Sequence, residues 1–209
     1  MDPAKERLIE SLLSRPRLTA PHYLAYSWVC ERLAGPPRSV LDFGARYSLL
    51  PSILALHGHR VTAVDRDPVV REKQAEFSRE FCVSIEVVPN DRAPFPEVDA
   101  ITACWAIQHN EPDKQAEIVS SLVASLVPGG KLLVVAAYTY GDSRYEGNRQ
   151  DPLWRFNDED MHKHVVKPSR CKVTDIRRFR YEHGSVEGDW CGPLDDANAI
   201  AFELTKGAK

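Results

Sequence analysis

The sequence predicts an α/β fold: a doubly wound, seven-stranded, mostly parallel sheet, closed by an antiparallel C-terminal hairpin and preceded by N-terminal helices. Three observations carry this. From residue 39 to residue 137, short apolar runs alternate with helix-patterned segments, the signature of right-handed βαβ units. The run Lys131–Ala137 is almost continuously apolar, as in a strand buried on both faces of a parallel sheet. Two further strand-like segments, Lys172–Tyr181 and Ala197–Leu204, follow in succession and close the sheet as a hairpin.

The elements follow in order. Leu8, Leu12 and Leu13 recur at helical spacing, Pro16 and Pro21 interrupt, and Tyr23–Leu33 resumes the pattern until Gly35-Pro36-Pro37 stops it. Ser39–Phe43 is a first strand ending at Gly44, Leu49–His57 a helix stopped by Gly58, and Arg60–Val64 a second strand ending at Asp65. Pro68 suits a first helical turn and opens a helix to about Phe81. Val83–Val88 and Asp99–Cys104 are the third and fourth strands. Pro112–Leu126 reads as a helix with Ile118, Leu122 and Leu126 on one face, and Pro128-Gly129-Gly130 turns into the fifth strand. Tyr140–Arg155 is polar, aromatic and Arg-rich, and reads as an irregular functional loop before a helix near Asp158–Val165.

At 209 residues, with 43% hydrophobic and 27% charged, the chain suits a single domain. Within it, residues 1–37 form a helical cap, 38–137 a cofactor-binding core, 138–170 a substrate-side insertion and 171–209 the closing strands. A net charge of −3 with interspersed signs gives no basic field for a long nucleic acid. No apolar run reaches membrane-spanning length. The five cysteines are scattered without a Cys-x-x-Cys pair, which argues against a disulfide framework and points to a reducing cytoplasm. His162-Lys163-His164 with Asp158 and Asp160 is read as a solvated helix face rather than a metal site, because residues two apart point to different faces.

In open α/β sheets, ligands bind beyond the carboxyl ends of the strands where the strand order reverses. Those ends carry Asp42–Ser48, Asp65-Arg66, Asn90-Asp91-Arg92 and Trp105–Asn110. Gly44 lets backbone pass close to a ligand. Asp65 is placed to accept hydrogen bonds from two ribose hydroxyls, and Asp91 to accept from an exocyclic amine.

Taken together, these residues make the chain resemble the class I S-adenosylmethionine-dependent methyltransferases, a Rossmann-like family, over roughly residues 39–205. The family's Asp/Glu-x-Gly-x-Gly-x-Gly is similar to Asp42-x-Gly44-x-Arg46-x-Ser48, with Ala45 inside it. Its ribose acid matches Asp65 and its adenine acid matches Asp91. The fourth-strand motif resembles Asp99–His109, and Leu-x-Pro-Gly-Gly resembles Leu126–Gly130. Two motif glycines are replaced by Arg46 and Ser48, and positive φ is costly for such residues. A nicotinamide-dinucleotide fingerprint needs Gly-x-Gly-x-x-Gly, whereas Gly44 is the loop's single glycine.

The resemblance implies S-adenosyl-L-methionine as cofactor and methyl transfer as the reaction, the acceptor being a small molecule. The alternatives are a non-catalytic module on the same fold and, less favoured, a nucleic-acid methyltransferase. Asp42 either bonds the cofactor's amine or braces the Gly44 turn. Arg46 either reaches the methionine carboxylate or points to solvent, and Trp105 either packs on adenine or fills the core. His109 is the candidate general base, since an imidazole titrates near neutral pH. Gln108 and Asn110 are candidate substrate-orienting neighbours. Tyr138, Tyr140, Arg144 and Trp154 belong to an aromatic and cationic cluster expected to wall the acceptor. Trp154–Met161 is similar to segments of methyltransferases from sugar or polysaccharide pathways, which points to a glycosyl acceptor.

Overall fold

The computed structural model describes residues 20–89, 94–141, 144–147, 152–182, 185–187 and 197–208. Helix α1 (Ala20–Leu33) leads into β1 (Ser39–Phe43), α2 (Leu50–Leu56), β2 (Arg60–Asp65), α3 (Pro68–Glu80), β3 (Ile85–Pro89) and β4 (Val98–Cys104). After a 3-10 turn (Ile107–His109) come α4 (Pro112–Ala124) and β5 (Leu126–Ala137). The hairpin β6 (Arg144–Gly147) and β7 (Pro152–Arg155) precedes a helical segment made of α5 (Asp158–Met161), a π turn (His162–Val166) and α6 (Lys167–Ser169). Strands β8 (Lys172–Glu182), β9 (Ser185–Glu187) and β10 (Ala199–Thr205) complete the described elements. The first N-terminal helix expected around Leu8–Leu13 lies outside the described residues.

The sheet order is β3-β2-β1-β4-β5-β10-β8-β9. Strands β1 to β5 run parallel, and β10 is antiparallel to both β5 and β8. The seven expected strands are therefore present in a doubly wound arrangement, with β9 added as a short edge strand on β8. The order reverses between β1 and β4, which sets a crevice at their carboxyl ends.

Alternation along the strands feeds two cores, one on each sheet face. Leu41, Phe43, Ile101, Leu132, Val134 and Phe202 pack under α4 and the segment Met161–Val165. Val40, Ala100, Leu133, Val135 and Ala201 pack under α1, α2 and α3. The fully buried Trp28 of α1 donates through Nε1 to Asp175 of β8 at 3.4 Å, and Arg32 pairs with the same carboxylate. This ties the N-terminal helix to the sheet.

Local chemistry accounts for the ends of elements. Asp67 caps α3 by accepting from Val69 N–H at 2.9 Å, and Pro68 occupies the first turn. Asn157 caps α5 by accepting from Asp160 N–H at 2.9 Å. The π turn lies just before Pro168, whose ring displaces the preceding turn and removes a donor.

Two expectations are corrected. Leu126 does not end the fourth helix; it opens β5 opposite Val98, and Val127–Gly130 bulge out before Lys131 pairs with Ala100. Gly130 is needed there, because a Cβ would stand 2.9 Å from Val127 O and 3.0 Å from Asp99 O. The segment Tyr140–Arg155 is not irregular throughout: Arg144–Gly147 and Pro152–Arg155 pair as an antiparallel hairpin. Its short, mixed polar and aromatic strands gave no clean alternation. The hairpin is anchored beside the end of β5 by Thr139 N–H to Phe156 O (2.8 Å) and Phe156 N–H to Ala137 O (3.1 Å).

Candidate cofactor site

A cavity of about 320 Å³ opens at the carboxyl ends of β1, β2 and β4. Phe43, Gly44, Arg46 and Tyr47 line one side, Val64–Asp67 and Val70 a second, and Trp105, Ala106, His109 and Asn110 a third. The strand-order reversal thus gathers Gly44, Arg46, Asp65, Arg66, Trp105, His109 and Asn110 into one place. Asn90, Asp91 and Arg92 lie outside the described residues.

The loop after β1 follows from its hydrogen bonds. Gly44 N–H and Ala45 N–H both donate to Val64 O, at 2.8 and 3.2 Å, pinning the turn to β2. Gly44 has φ +74 and is packed so tightly that a Cβ would meet Ala106 Cβ at 2.5 Å. Arg46 also sits at positive φ, 39°, so the loop keeps a left-handed backbone where the family has glycine. That conformation costs a side-chain-bearing residue roughly 1–2 kcal/mol. Arg46 N–H donates to Asp65 Oδ2 at 2.9 Å, and Gln74 Nε2 donates to the carbonyls of Arg46 and Ser48 at 3.1 and 3.0 Å. Ser48 Oγ accepts from Tyr26 of α1 at 2.9 Å and from Leu50 N–H at 3.0 Å.

Asp65 accepts from Arg46 N–H through one oxygen and from Asp67 N–H (3.0 Å) through the other. A carboxylate has about four acceptor positions, so each oxygen keeps capacity for a hydroxyl from the cavity. This donor-free, acceptor-rich tip fits a ribose diol.

Asp42 is buried beneath the loop and accepts from Thr102 Oγ1 at 2.5 Å. Burial, partly opposed by the Thr102 hydrogen bond and reinforced by the nearby Asp65 charge, pushes its pKa up to about 7. The neutral carboxyl is therefore favoured by folding. Relative to an Asp42→Asn variant, the cofactor-free wild type should lose stability as pH rises from about 4 to about 7, on the order of 4 kcal/mol in all. Urea unfolding at pH 5 and pH 8 checks this: a wild type whose stability relative to Asp42→Asn is the same at both pH values contradicts it.

The other site candidates separate. Trp105 reaches the cavity with φ 57 and meets Phe179 edge-on at 6.4 Å. Asn110 Nδ2 donates to Ala106 O and Ile107 O, both at 3.2 Å, while its own carbonyl accepts from Gln115 Nε2 at 2.6 Å. Gln108 turns away: it is 3% exposed and its Oε1 accepts Ala137 N–H at 2.6 Å, so it serves β5 rather than the cavity. Tyr138 is buried, edge-on to Tyr140 at 5.1 Å, and Arg178 lies 5.4 Å over its ring. Arg178 also pairs with Asp158 at 2.7 Å. Trp154 meets Tyr145 at a tilt of 57° with ring centroids 5.0 Å apart and, with Phe156, Pro112 and His164, borders a separate hollow of about 450 Å³. For Arg144 only the backbone, paired with Arg155, is described. The hairpin thus adjoins the carboxyl end of β5, and among its described residues none lines the cavity.

Gln74, Tyr26 and Thr102 escaped the sequence reading. Each had a signal: a polar residue at a position whose neighbours are core. Gln74 lies between Val70 and Phe77 on the buried face of α3, and Thr102 lies between Ile101 and Ala103 in the buried stretch of β4.

Residues 41–134 match a family model described as a methyltransferase domain. With the sheet order above, this match marks residues 41–134 as a methyltransferase domain on a Rossmann-like fold. No curated protein sequence matches the chain. The fold is similar to the 1,6-didemethyltoxoflavin-N1-methyltransferase of Burkholderia thailandensis, solved with 1,6-didemethyltoxoflavin and S-adenosylhomocysteine bound (20% identity, 90% of this chain and 79% of that one, TM-score 0.70). It is also similar to a SAM-dependent methyltransferase from Methanosarcina mazei (12% identity, 87% and 98% covered, TM-score 0.70). The cyclase SpnF shares it as well (15% identity, 88% and 80%, TM-score 0.68). At these identities the likeness is one of fold, and a cyclase among the neighbours shows that fold alone does not fix the reaction. Among the described residues no helix is long and apolar enough to cross a membrane.

Proposed function

We propose that the chain transfers the methyl group of S-adenosylmethionine to a small-molecule nucleophile that enters beside His109. The observation that carries the reading is the cavity at the strand-order reversal, with Asp65 on one wall and His109 and Asn110 on another. The bound cofactor supplies an already activated methyl on its sulfonium. The chain's own task is therefore alignment, exclusion of water and removal of a proton. Asp65 holds the ribose hydroxyls, Arg46 faces the methionine carboxylate, and buried Asp42 braces the loop through Thr102. His109 takes the proton of a hydroxyl acceptor as its oxygen attacks, and Asn110 orients the acceptor.

A net charge of −3 and a cavity of modest volume favour a small acceptor over a nucleic acid. The 1,6-didemethyltoxoflavin-N1-methyltransferase, solved with 1,6-didemethyltoxoflavin bound on this fold, supports that choice. The aromatic hairpin beside β5 suits a ring-bearing or glycosyl acceptor.

Incubation with S-adenosylmethionine labelled in its methyl group and a small-metabolite extract should place label in low-mass products. Label confined to RNA or DNA overturns the small-molecule reading. With an acceptor in hand, His109→Ala should lower kcat about a hundredfold while leaving S-adenosylhomocysteine affinity within about threefold. Full turnover by that variant removes His109 as the base.

A further inference from the structure

We propose that Gln74 is the positioning residue of the cofactor loop, supplying from α3 the restraint that makes a loop with Arg46 and Ser48 in place of glycines competent to bind. The inference rests on the cavity being the S-adenosylmethionine site.

Four observations converge on it. The positions that depart from the family's glycine pattern are 46 and 48, and one atom, Gln74 Nε2, donates to the carbonyls of both (3.1 and 3.0 Å). Arg46 is held at φ 39, a conformation that a side-chain-bearing residue keeps only when its surroundings over-determine it. Here its N–H is fixed by Asp65 and its C=O by Gln74, so the peptide is gripped from both sides. Gln74 is fully buried on the helix face shared by Val70 and Phe77, where helical spacing calls for an apolar residue. Finally, its Oε1 is buried with no hydrogen-bond partner, so the amide is kept in the core at a cost, and its NH₂ group is the part that works.

The chemistry of the position is restrictive. A leucine has comparable bulk but no donor, and a glutamate, even when burial keeps it protonated, has one hydrogen for two carbonyls. A lysine would bring a charge into the core. The same helix contributes Val70 to the cavity wall, so Gln74 also locks loop and wall into one unit. It touches neither cofactor nor acceptor, and acts through the loop.

The test uses the full chain as wild type, Gln74→Leu, Gln74→Glu, Arg46→Gly and the double variant Arg46→Gly/Gln74→Leu. Two quantities are read: amide hydrogen exchange of residues 44–48 in the cofactor-free protein, and S-adenosylhomocysteine affinity by calorimetry. Both single Gln74 variants should speed exchange in the loop and weaken binding about tenfold. In the Arg46→Gly background the backbone reaches positive φ unaided, so Gln74→Leu should weaken binding less than threefold. Equal losses in both backgrounds, or unchanged exchange and affinity in either Gln74 variant, overturn the proposal. So does failure of all three Gln74-substituted chains to fold, which would make Gln74 a general core residue. If wild type itself does not bind S-adenosylhomocysteine, the cofactor reading falls, while the ligand-free exchange experiment still decides whether Gln74 holds the loop.

Discussion

Gly44→Ala should destabilise the protein by about 3 kcal/mol and remove measurable S-adenosylhomocysteine binding. Two costs add. The new Cβ would stand 2.5 Å from Ala106 Cβ, an overpacking that typically costs 1–3 kcal/mol because β1 and the turn after β4 must separate. The φ of +74 costs a further 1–2 kcal/mol for any side-chain-bearing residue. Relief by either route moves the loop, and the loop carries one wall of the cavity. Urea unfolding measures the first effect. Adding Ala106→Gly should recover the steric part and leave the conformational part. A Gly44→Ala protein within 1 kcal/mol of wild type, still binding normally, contradicts this picture of the loop.

Asp65→Ala should weaken S-adenosylhomocysteine binding roughly a hundredfold. Two charge-assisted hydrogen bonds to the ribose, each worth about 1.5 kcal/mol, account for that factor. The variant also frees Arg46 N–H and Asp67 N–H, which now donate to the two carboxylate oxygens at 2.9 and 3.0 Å. Asp65→Ala therefore removes the anchor of the loop together with the proposed ribose acceptor. Asp65→Asn keeps an acceptor for one of these groups and should fall between wild type and Asp65→Ala. Unchanged affinity in Asp65→Ala, measured by calorimetry, refutes the ribose assignment.

These two residues were legible in the sequence because strand ends are. Apolar runs mark the strands, and the residue just past each run must stand at the carboxyl edge of a parallel sheet, so Gly44, Asp65, Trp105 and His109 could be assembled without knowing any contact. The concern over Arg46 was legible for the same reason, and its positive φ bears it out. Gln108 was misplaced because a one-residue step around a 3-10 turn reverses which way a side chain points. His109 faces the cavity, while Gln108 reaches back to Ala137 N–H. Gln74 and Tyr26 stood out only as polar groups at core positions, and their roles stayed hidden because their partners are Arg46 and Ser48, 22 to 28 residues away. No local periodicity encodes such a pairing. The hairpin Arg144–Arg155 was missed because four-residue strands are too short to establish a period of two. Its cross-strand pair, Tyr145 with Trp154, is a tertiary fact.

One measurement bears most directly on the chain's assignment: calorimetric titration of the wild-type protein with S-adenosylhomocysteine. Saturable one-to-one binding with a Kd on the order of micromolar is the predicted result. No heat of binding up to several hundred micromolar ligand would contradict it, and with it the reading of the cavity at the ends of β1, β2 and β4 as a methyl-donor site.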